Sequence, residues 1–252
     1  MGDKIQSELN ELADLIERFD RGEITLGDFC REGTHYGVYP QRQPGKFFVR
    51  VRILCGIISP IQMEKLAQVA QTWGANQCHL TTRQCVEIHG LALSDIVTAL
   101  SALAALGLDS HETGGATVRN IVLCPHAGVG NDETIDVMPF AAWLARHLLR
   151  HPDYQSLPRK IKIGVSCCRA DCARTLIQDI GFQSRMDVSG EYLGFHVVVG
   201  GGLGASPRVG RTLIEFVPAA EILLVVDAIL RVFNRLGDRE NRKRGRLKFL
   251  VE

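Results

Sequence analysis

Ile5, Leu9, Leu12, Leu15 and Ile16 recur at near-helical spacing, which predicts an amphipathic helix over residues 4–19. The stretch 33–45, GTHYGVYPQRQPG, is interrupted by Gly and Pro and reads as an irregular approach loop. Residues 47–57, FFVRVRILCGI, then alternate as a strand does, with Arg50 and Arg52 on one face. Pro60 opens a predicted helix to about Trp73. Two short strands, 77–82 and 85–91, flank TTRQ, and Ser94 is placed to cap a helix that runs to Leu106 and closes at Gly107.

That β-α-β-β-α order is the split unit of ferredoxin-like folds, with a completing strand expected near 108–112. From Thr113 the character changes to Gly-rich and polar sequence, TGGATVRNIVLCPHAGVGNDE, and a domain boundary is expected there. Beyond it the pattern predicts a helix at 136–151, a strand at 159–165, a helix at 172–180, a hairpin over 184–200 and a helix at 218–236. The fold class is therefore α+β. An N-terminal helix and approach loop (1–45) precede a ferredoxin-like half domain (46–112) and a larger α/β domain (113–252).

Composition narrows the class. The 252 residues are 46% apolar and 23% charged, values of an ordinary globular chain rather than a disordered or fibrous one. A net charge of +1 offers no global attraction to nucleic acid or an anionic membrane. The longest charge-free apolar stretch, Ile96 to Leu108, is too short for a bilayer span, which takes about 20 residues. The acidic N-terminus has no apolar signal-peptide core, so a cytoplasmic protein is expected, without nucleic-acid or membrane partners.

Candidate chemistry lies in cations and thiols. Arg50, Arg52, Arg83, Arg119, Lys160 and Lys162 fall in or beside predicted strands, where an unpaired buried charge costs several kcal/mol. Cations on an edge strand facing solvent would avoid that cost; cations converging on a small oxyanion or a polycarboxylate would use it. Of eight cysteines, Cys167, Cys168 and Cys172 cluster, and Cys124 in LCPHAG is the other plausible donor. Neither C-x2-C nor a His at zinc spacing is present, which argues against structural zinc. An iron–sulfur cluster takes four thiolates, and the fourth would be Cys167 or come from another chain. GGGLG (Gly200–Gly204) is neither a dinucleotide fingerprint nor a P-loop and reads as a tight turn with close backbone approach. The basic tail NRKRGRLK reads as a solvated face.

Taken in order, FFVRVRI, LTTRQCVEIHG, TVRNIVLCPHAG, LPRKIKIGVSCCRADCA, QDIGF, GFHVVVGGGLGASPR and NRKRGRLKFLVE resemble the nitrite/sulfite reductase family, the siroheme and [4Fe-4S] enzymes, in its N-terminal half. The resemblance implies a siroheme-side second domain and the six-electron reduction of sulfite to sulfide or nitrite to ammonia. It implies a second reductase half or subunit, or a homodimer, and a ferredoxin or flavoprotein electron donor. It assigns the small oxyanion substrate to Arg50, Arg119, Lys160 and Lys162. It assigns siroheme contacts to Arg52, Thr82, Arg83, Gln84, His89 and Asn120. Where the family usually has Gln two residues before that His, this chain has Glu87, an acid that would face the siroheme carboxylates unless protonated or paired. The family's cluster uses C-x5-C and C-x3-C; Cys168 and Cys172 fit the second pair, but Gly130 stands six residues after Cys124, leaving an incomplete set of Cys124, Cys168 and Cys172. The alternatives are a precorrin-3B synthase-like corrin-pathway enzyme, taking a tetrapyrrole as substrate, and a non-catalytic siroheme-binding half.

Overall fold

The computed structural model describes residues 2–133, 135–190 and 193–251. It divides into two compact units, Met1–Gly115 and Ala116–Glu252.

In the first unit, α1 (Gly2–Asp20) buries Leu9, Leu12 and Leu15, the apolar stripe expected of it. An unforeseen short helix, α2 (Leu26–Gly33), follows, started by a capping box between Thr25 and Asp28. The four-stranded antiparallel sheet runs β1 (Val38–Pro40), β2 (Lys46–Arg52), β4 (Cys85–Ala92) and β3 (Cys78–Leu80) in spatial order β1-β2-β4-β3. Helices α3 (Pro60–Thr72) and α4 (Ile96–Ala104) contribute Leu66, Val69, Ile96, Ala99 and Leu103 to the same core as Val49, Val51 and Ile88. This is the ferredoxin-like split unit, with its outer strand supplied from the front. The loop expected over 33–45 contains β1, which pairs with Phe47–Val49, and the strand expected near 108–112 shrinks to one bridge between Arg52 and Asp109.

Two boundaries differ from expectation. The strand from Phe47 stops at Arg52 instead of reaching 57, because Cys55 and Gly56 adopt left-handed backbone (φ 54° and 75°) in a 3-10 turn. Ser59 caps α3 through a capping box with Gln62, but Ser94 does not cap α4; it sits inside a 3-10 turn, Leu93–Asp95, that leads into the helix.

In the second unit one mixed sheet runs β5 (Val122–Leu123), β6 (Ile163–Ser166), β7 (Ile180–Met186), β8 (Leu193–Val199) and β9 (Arg211–Pro218). The first three are parallel and the last two antiparallel. Helices α5 (Met138–Leu148) and α6 (Ile222–Leu236) bury Leu144, Leu148, Val226, Leu230 and Phe233. The expected hairpin forms from β7 and β8; residues 191 and 192 lie outside the described residues. The helix expected over 172–180 is absent. Asp171 and Arg174 adopt φ of 50° and 53°, and the Asp171 carboxylate accepts from the Thr175 N–H (2.9 Å) and hydroxyl (2.8 Å), local bonds that compete with a helix. Ile180 to Phe182 go instead into a buried strand. The basic tail also departs from its solvated reading: Arg246 is mostly covered and Lys248 is buried.

Candidate functional site

In the first unit, strand alternation puts Phe48, Arg50 and Arg52 on the face opposite Phe47, Val49 and Val51. β4 lays Cys85, Glu87 and His89 beside them in register. Arg50 donates through Nε to one Glu87 oxygen at 2.7 Å, with Nη2 ion-paired to the same oxygen at 2.7 Å, and through Nη1 to the Tyr39 hydroxyl (3.1 Å) and the Thr113 carbonyl (3.2 Å). His89 lies 3.4 Å from the other Glu87 oxygen, and its Nδ1 lies 3.0 Å from Gln41. Phe48 stacks between Tyr39 and His89. The acid that replaces the usual Gln is thus paired on both sides. Arg52 turns away into the protein, donating to the His111 carbonyl at 3.0 Å with Glu112 at 3.7 Å.

Thr82, Arg83 and Gln84 form the turn between β3 and β4. Thr81 holds it, its hydroxyl accepting from the N–H groups of Arg83 and Cys85. Gly56 packs under the Gln84 side chain, and a Cβ there would lie 2.8 Å from it. At the far end of β4, His89 lines an open cleft of about 650 Å³ with Gln41, Lys46, Gln77 and His79. The turn's hydroxyl, guanidinium and carboxamide suit a ligand bearing several carboxylates, and the neutralised Glu87 does not oppose one.

In the second unit, a parallel bridge joins Val118 to Ile161, and the Arg119 N–H donates to the Ile161 carbonyl. Lys160 and Lys162 flank buried Ile161 and so share the opposite face of that strand entry. Burial, then the charges of Arg119, Lys162, Arg246 and Arg159, push the Lys160 ammonium down to about 8. Asn120 is fully buried beside them in sequence. Beneath the cluster sits Asp179, wholly buried, taking Arg246 at 2.8–3.0 Å through two nitrogens and the Lys162 N–H at 2.8 Å. Gly201 lets the glycine-rich loop lie against the chain entering β7: a Cβ there would meet the Leu176 and Gln178 carbonyl oxygens at 2.4 and 2.5 Å. Lys248 donates to the carbonyls of Leu203 and Ser206 in the same loop.

The thiols gather at the opposite, C-terminal ends of the parallel strands, where ligand sites of such sheets form. Cys124 follows β5 and donates its N–H to Val165 of β6; Cys168 follows β6. Their sulfurs are 3.7 Å apart, and Cys172 completes a triangle with all three sulfurs within 4.8 Å of one another. Hydrogen bonds from the Cys172 backbone and from the Cys172, Cys124 and Ser166 side chains outweigh burial and hold the Cys168 thiol below its usual range. Its bond to Cys168 pushes the Cys172 thiol up to about 11. Converging thiols with this donor chemistry fit an iron–sulfur cluster. Sequence reasoning did not single out Asp179, Arg246 or Lys248 as part of this unit's polar interior, although Asp179 stands in QDIGF and the other two in the basic tail.

A mixed sheet with cations at one end of its parallel strands and gathered thiols at the other, in one chain with a ferredoxin-like unit, has the donor set of an iron–sulfur protein. The chain belongs to the nitrite and sulfite reductase family. Residues 114–252 match the family model described as the nitrite and sulphite reductase 4Fe-4S domain, and residues 39–106 match the nitrite/sulfite reductase ferredoxin-like half domain. Among similar proteins, the assimilatory ferredoxin-dependent nitrite reductase of Haloferax mediterranei is 34% identical across 100% of this chain and 45% of its own length. The sulfite reductase [NADPH] hemoprotein beta-component of Leptospira biflexa is 32% identical over 82% of this chain and 42% of its own. The structure of the Mycobacterium tuberculosis NirA protein superposes with a TM-score of 0.81 at 25% identity, over 98% of this chain and 50% of that one. The chain spans about half the length of the relatives it matches. Among the described residues, no helix is long and apolar enough to cross a membrane.

Proposed function

We propose that the chain is one half, or one subunit, of a siroheme-dependent reductase that carries sulfite to sulfide or nitrite to ammonia. The observation that supports this best is the meeting of Arg119, Lys160 and Lys162 at one strand entry, with Lys160 pushed down to about 8. Siroheme and a [4Fe-4S] cluster, when bound, supply the iron that takes the anion and the electrons that reduce it. Arg119 and Lys162 hold the anion's charge, and Lys160, titrating near neutral pH, holds a proton at Nζ within reach of an oxygen leaving as water. Arg50, in the first unit, is also assigned to anion binding, oriented there by Glu87 and Tyr39.

Arg83, with Thr82 and Gln84, would hold siroheme carboxylates, and His89 and Asn120 are the other residues assigned to that cofactor. Cys124, Cys168 and Cys172 hold the cluster. Cations and thiols occupy opposite ends of the same strands, and the six residue-to-residue steps from Lys162 to Cys168 span up to ~20 Å when extended. That separation favours a site completed by a second half or a second copy, whose thiol end meets this chain's cation end. A ferredoxin is the donor, as the names of several relatives have it for those proteins. Eight free cysteines suit the reducing cytoplasm.

The test is spectroscopic titration of the purified chain with siroheme. The chain binds it, and Arg83→Ala weakens binding roughly ten- to a hundredfold, the loss of a charge-assisted contact of about 1.5–3 kcal/mol. An unchanged titration in that variant refutes the siroheme assignment. Lys162→Met then keeps siroheme bound and cuts anion reduction in the complete assembly; activity within about twofold of wild type would show that this face does not meet the anion.

A further inference from the structure

Three polar residues of the second unit that take no part in the anion or thiol chemistry converge on one point. His147 in the last turn of α5, His151 just past its end and Asp227 of α6 each bring one ligand atom within 4.8 Å of the other two. Helical spacing does not produce this. α5 stops at Leu148, and a left-handed Arg150 (φ 59°) turns the chain so that the two imidazole rings stand 5.4 Å apart. The turn is fastened to α6 by the Asn234 side chain, which donates to the Asp153 carbonyl at 3.2 Å. Tyr154, 1% exposed, fixes two of the three donors: its ring stacks on His151 at 4.4 Å, and its hydroxyl donates to Asp227 Oδ1. A side chain that orients ligand groups from behind is what a metal site needs around it.

The carboxylate already holds a cation. Arg231 donates from Nε to Asp227 Oδ2 at 3.0 Å, with Nη2 at the same distance, but its side chain is 68% exposed and such pairs contribute little. His151 accepts the Asp153 N–H at Nδ1 over a long 3.3 Å. A neutral imidazole has one lone pair, so coordination through either ring nitrogen gives up that bond. Both contacts are weak enough for a divalent ion to replace, and the Tyr154 bond to the other carboxylate oxygen stays. Two imidazoles and a carboxylate suit zinc and its neighbours in the first transition row. Tetrahedral zinc asks for ligand atoms about 3.4 Å apart, and the exposed His147 is free to swing in by the difference.

We propose that His147, His151 and Asp227 form a site for a divalent transition-metal ion, zinc fitting best, with water in the fourth position and Tyr154 orienting the carboxylate. The ion ties the end of α5 to α6, and its site shares no residue with the thiols or the cation cluster.

The experiment is a Zn2+ titration of the full chain, followed by NMR of the histidine rings and of the Asp153 amide. Zinc held by Cys124, Cys168 and Cys172 touches none of these groups, so the readout belongs to this site. The His147 and His151 rings and the Asp153 N–H are expected to shift together. His147→Ala and His151→Ala weaken that binding at least about tenfold, and Tyr154→Phe, which keeps the stacked ring and removes the hydroxyl, weakens it about tenfold. Arg231→Gln tightens it about two- to fivefold, because the competing cation is gone. An ion pair with only a structural role predicts no such gain. Far-UV circular dichroism of the metal-free forms separates ligand loss from misfolding, and the exposed His147 is the position least able to disturb the fold. Rings that do not move under zinc overturn the proposal. So does a His147→Ala chain that binds as wild type does, or an Arg231→Gln chain that binds no tighter.

Discussion

Replacing Lys160 with Met should make the protein more stable and less able to hold an anion. The ammonium stands half-buried among Arg119, Lys162, Arg246 and Arg159, and its pKa falls from 10.5 to about 8. Fully transmitted at 1.36 kcal/mol per unit, the gap is worth about 3 kcal/mol. Partial solvent screening brings it to about 1–2 kcal/mol. The sign follows from proton counts. Because the folded pKa is the lower one, the unfolded chain binds more protons between about pH 8 and 10.5, and this group's contribution to stability rises with pH across that window. Below about pH 8 the destabilisation is fully present. Lys160→Met keeps the apolar stem and removes the charge, so its advantage over wild type is greatest at pH 7 and vanishes near pH 10.5. At roughly 2–4 °C per kcal/mol, Tm at pH 7 should rise by about 2–8 °C. The assay is thermal unfolding of both proteins at low salt across pH, without and with added sulfite or nitrite. Wild type is stabilised by the anion and the variant is not, since a ligand stabilises only the state that binds it. A variant no more stable at pH 7, or stabilised equally at every pH, would refute the reasoning.

Asp179→Asn strands the covered Arg246 and should cost about 3–5 kcal/mol, read as a lower urea midpoint; a loss under about 1 kcal/mol would mean that the tail is not anchored there. Glu87→Gln, which installs the family's usual side chain, should cost about 1–2 kcal/mol by loosening Arg50 and leave siroheme titration no weaker; weaker uptake would show that Glu87 itself helps to hold the macrocycle. Gly201→Ala drives a methyl into two backbone carbonyls and should destabilise by about 1–3 kcal/mol in chemical denaturation, whereas unchanged stability would mean that the loop stands off the sheet.

The first unit was legible because its signals are local. Period-two alternation at Phe47–Arg52 and Pro60 as a helix opener were enough to place its main strand and α3. What stayed hidden was non-local. The outer strand comes from Val38–Pro40, a segment that looks like loop until it meets the edge of β2. The helix expected over 172–180 failed because Asp171 and Thr175 satisfy each other locally and because Ile180–Phe182 gain more in a parallel strand. β9 carries Leu213, Ile214, Phe216 and Val217 around a single Glu215, a short run rich in β-branched and aromatic residues that could have revealed it. Among candidate site residues, the Lys160 and Lys162 alternation was readable from RKIKI. The inward turn of Arg52 toward Glu112 was not, since no spacing rule links those positions. Asp179 and Arg246 are 67 residues apart, and only the folded chain pairs them.

That pairing has a consequence for biosynthesis. A chain made from its N-terminus completes Met1–Gly115 first, with every strand of that sheet already in hand. The second unit has no such freedom. When Asp179 leaves the ribosome its guanidinium partner is still untranslated, and the glycine-rich loop that receives Lys248 stays unfilled until that lysine has been made. Five strands must therefore wait, partly assembled and with Asp179 lacking its guanidinium, for residues 246–248. This is the interval in which a chaperone has most to hold, and in which a ribosome stalled short of Arg246 releases a chain with a finished first unit and an open second one.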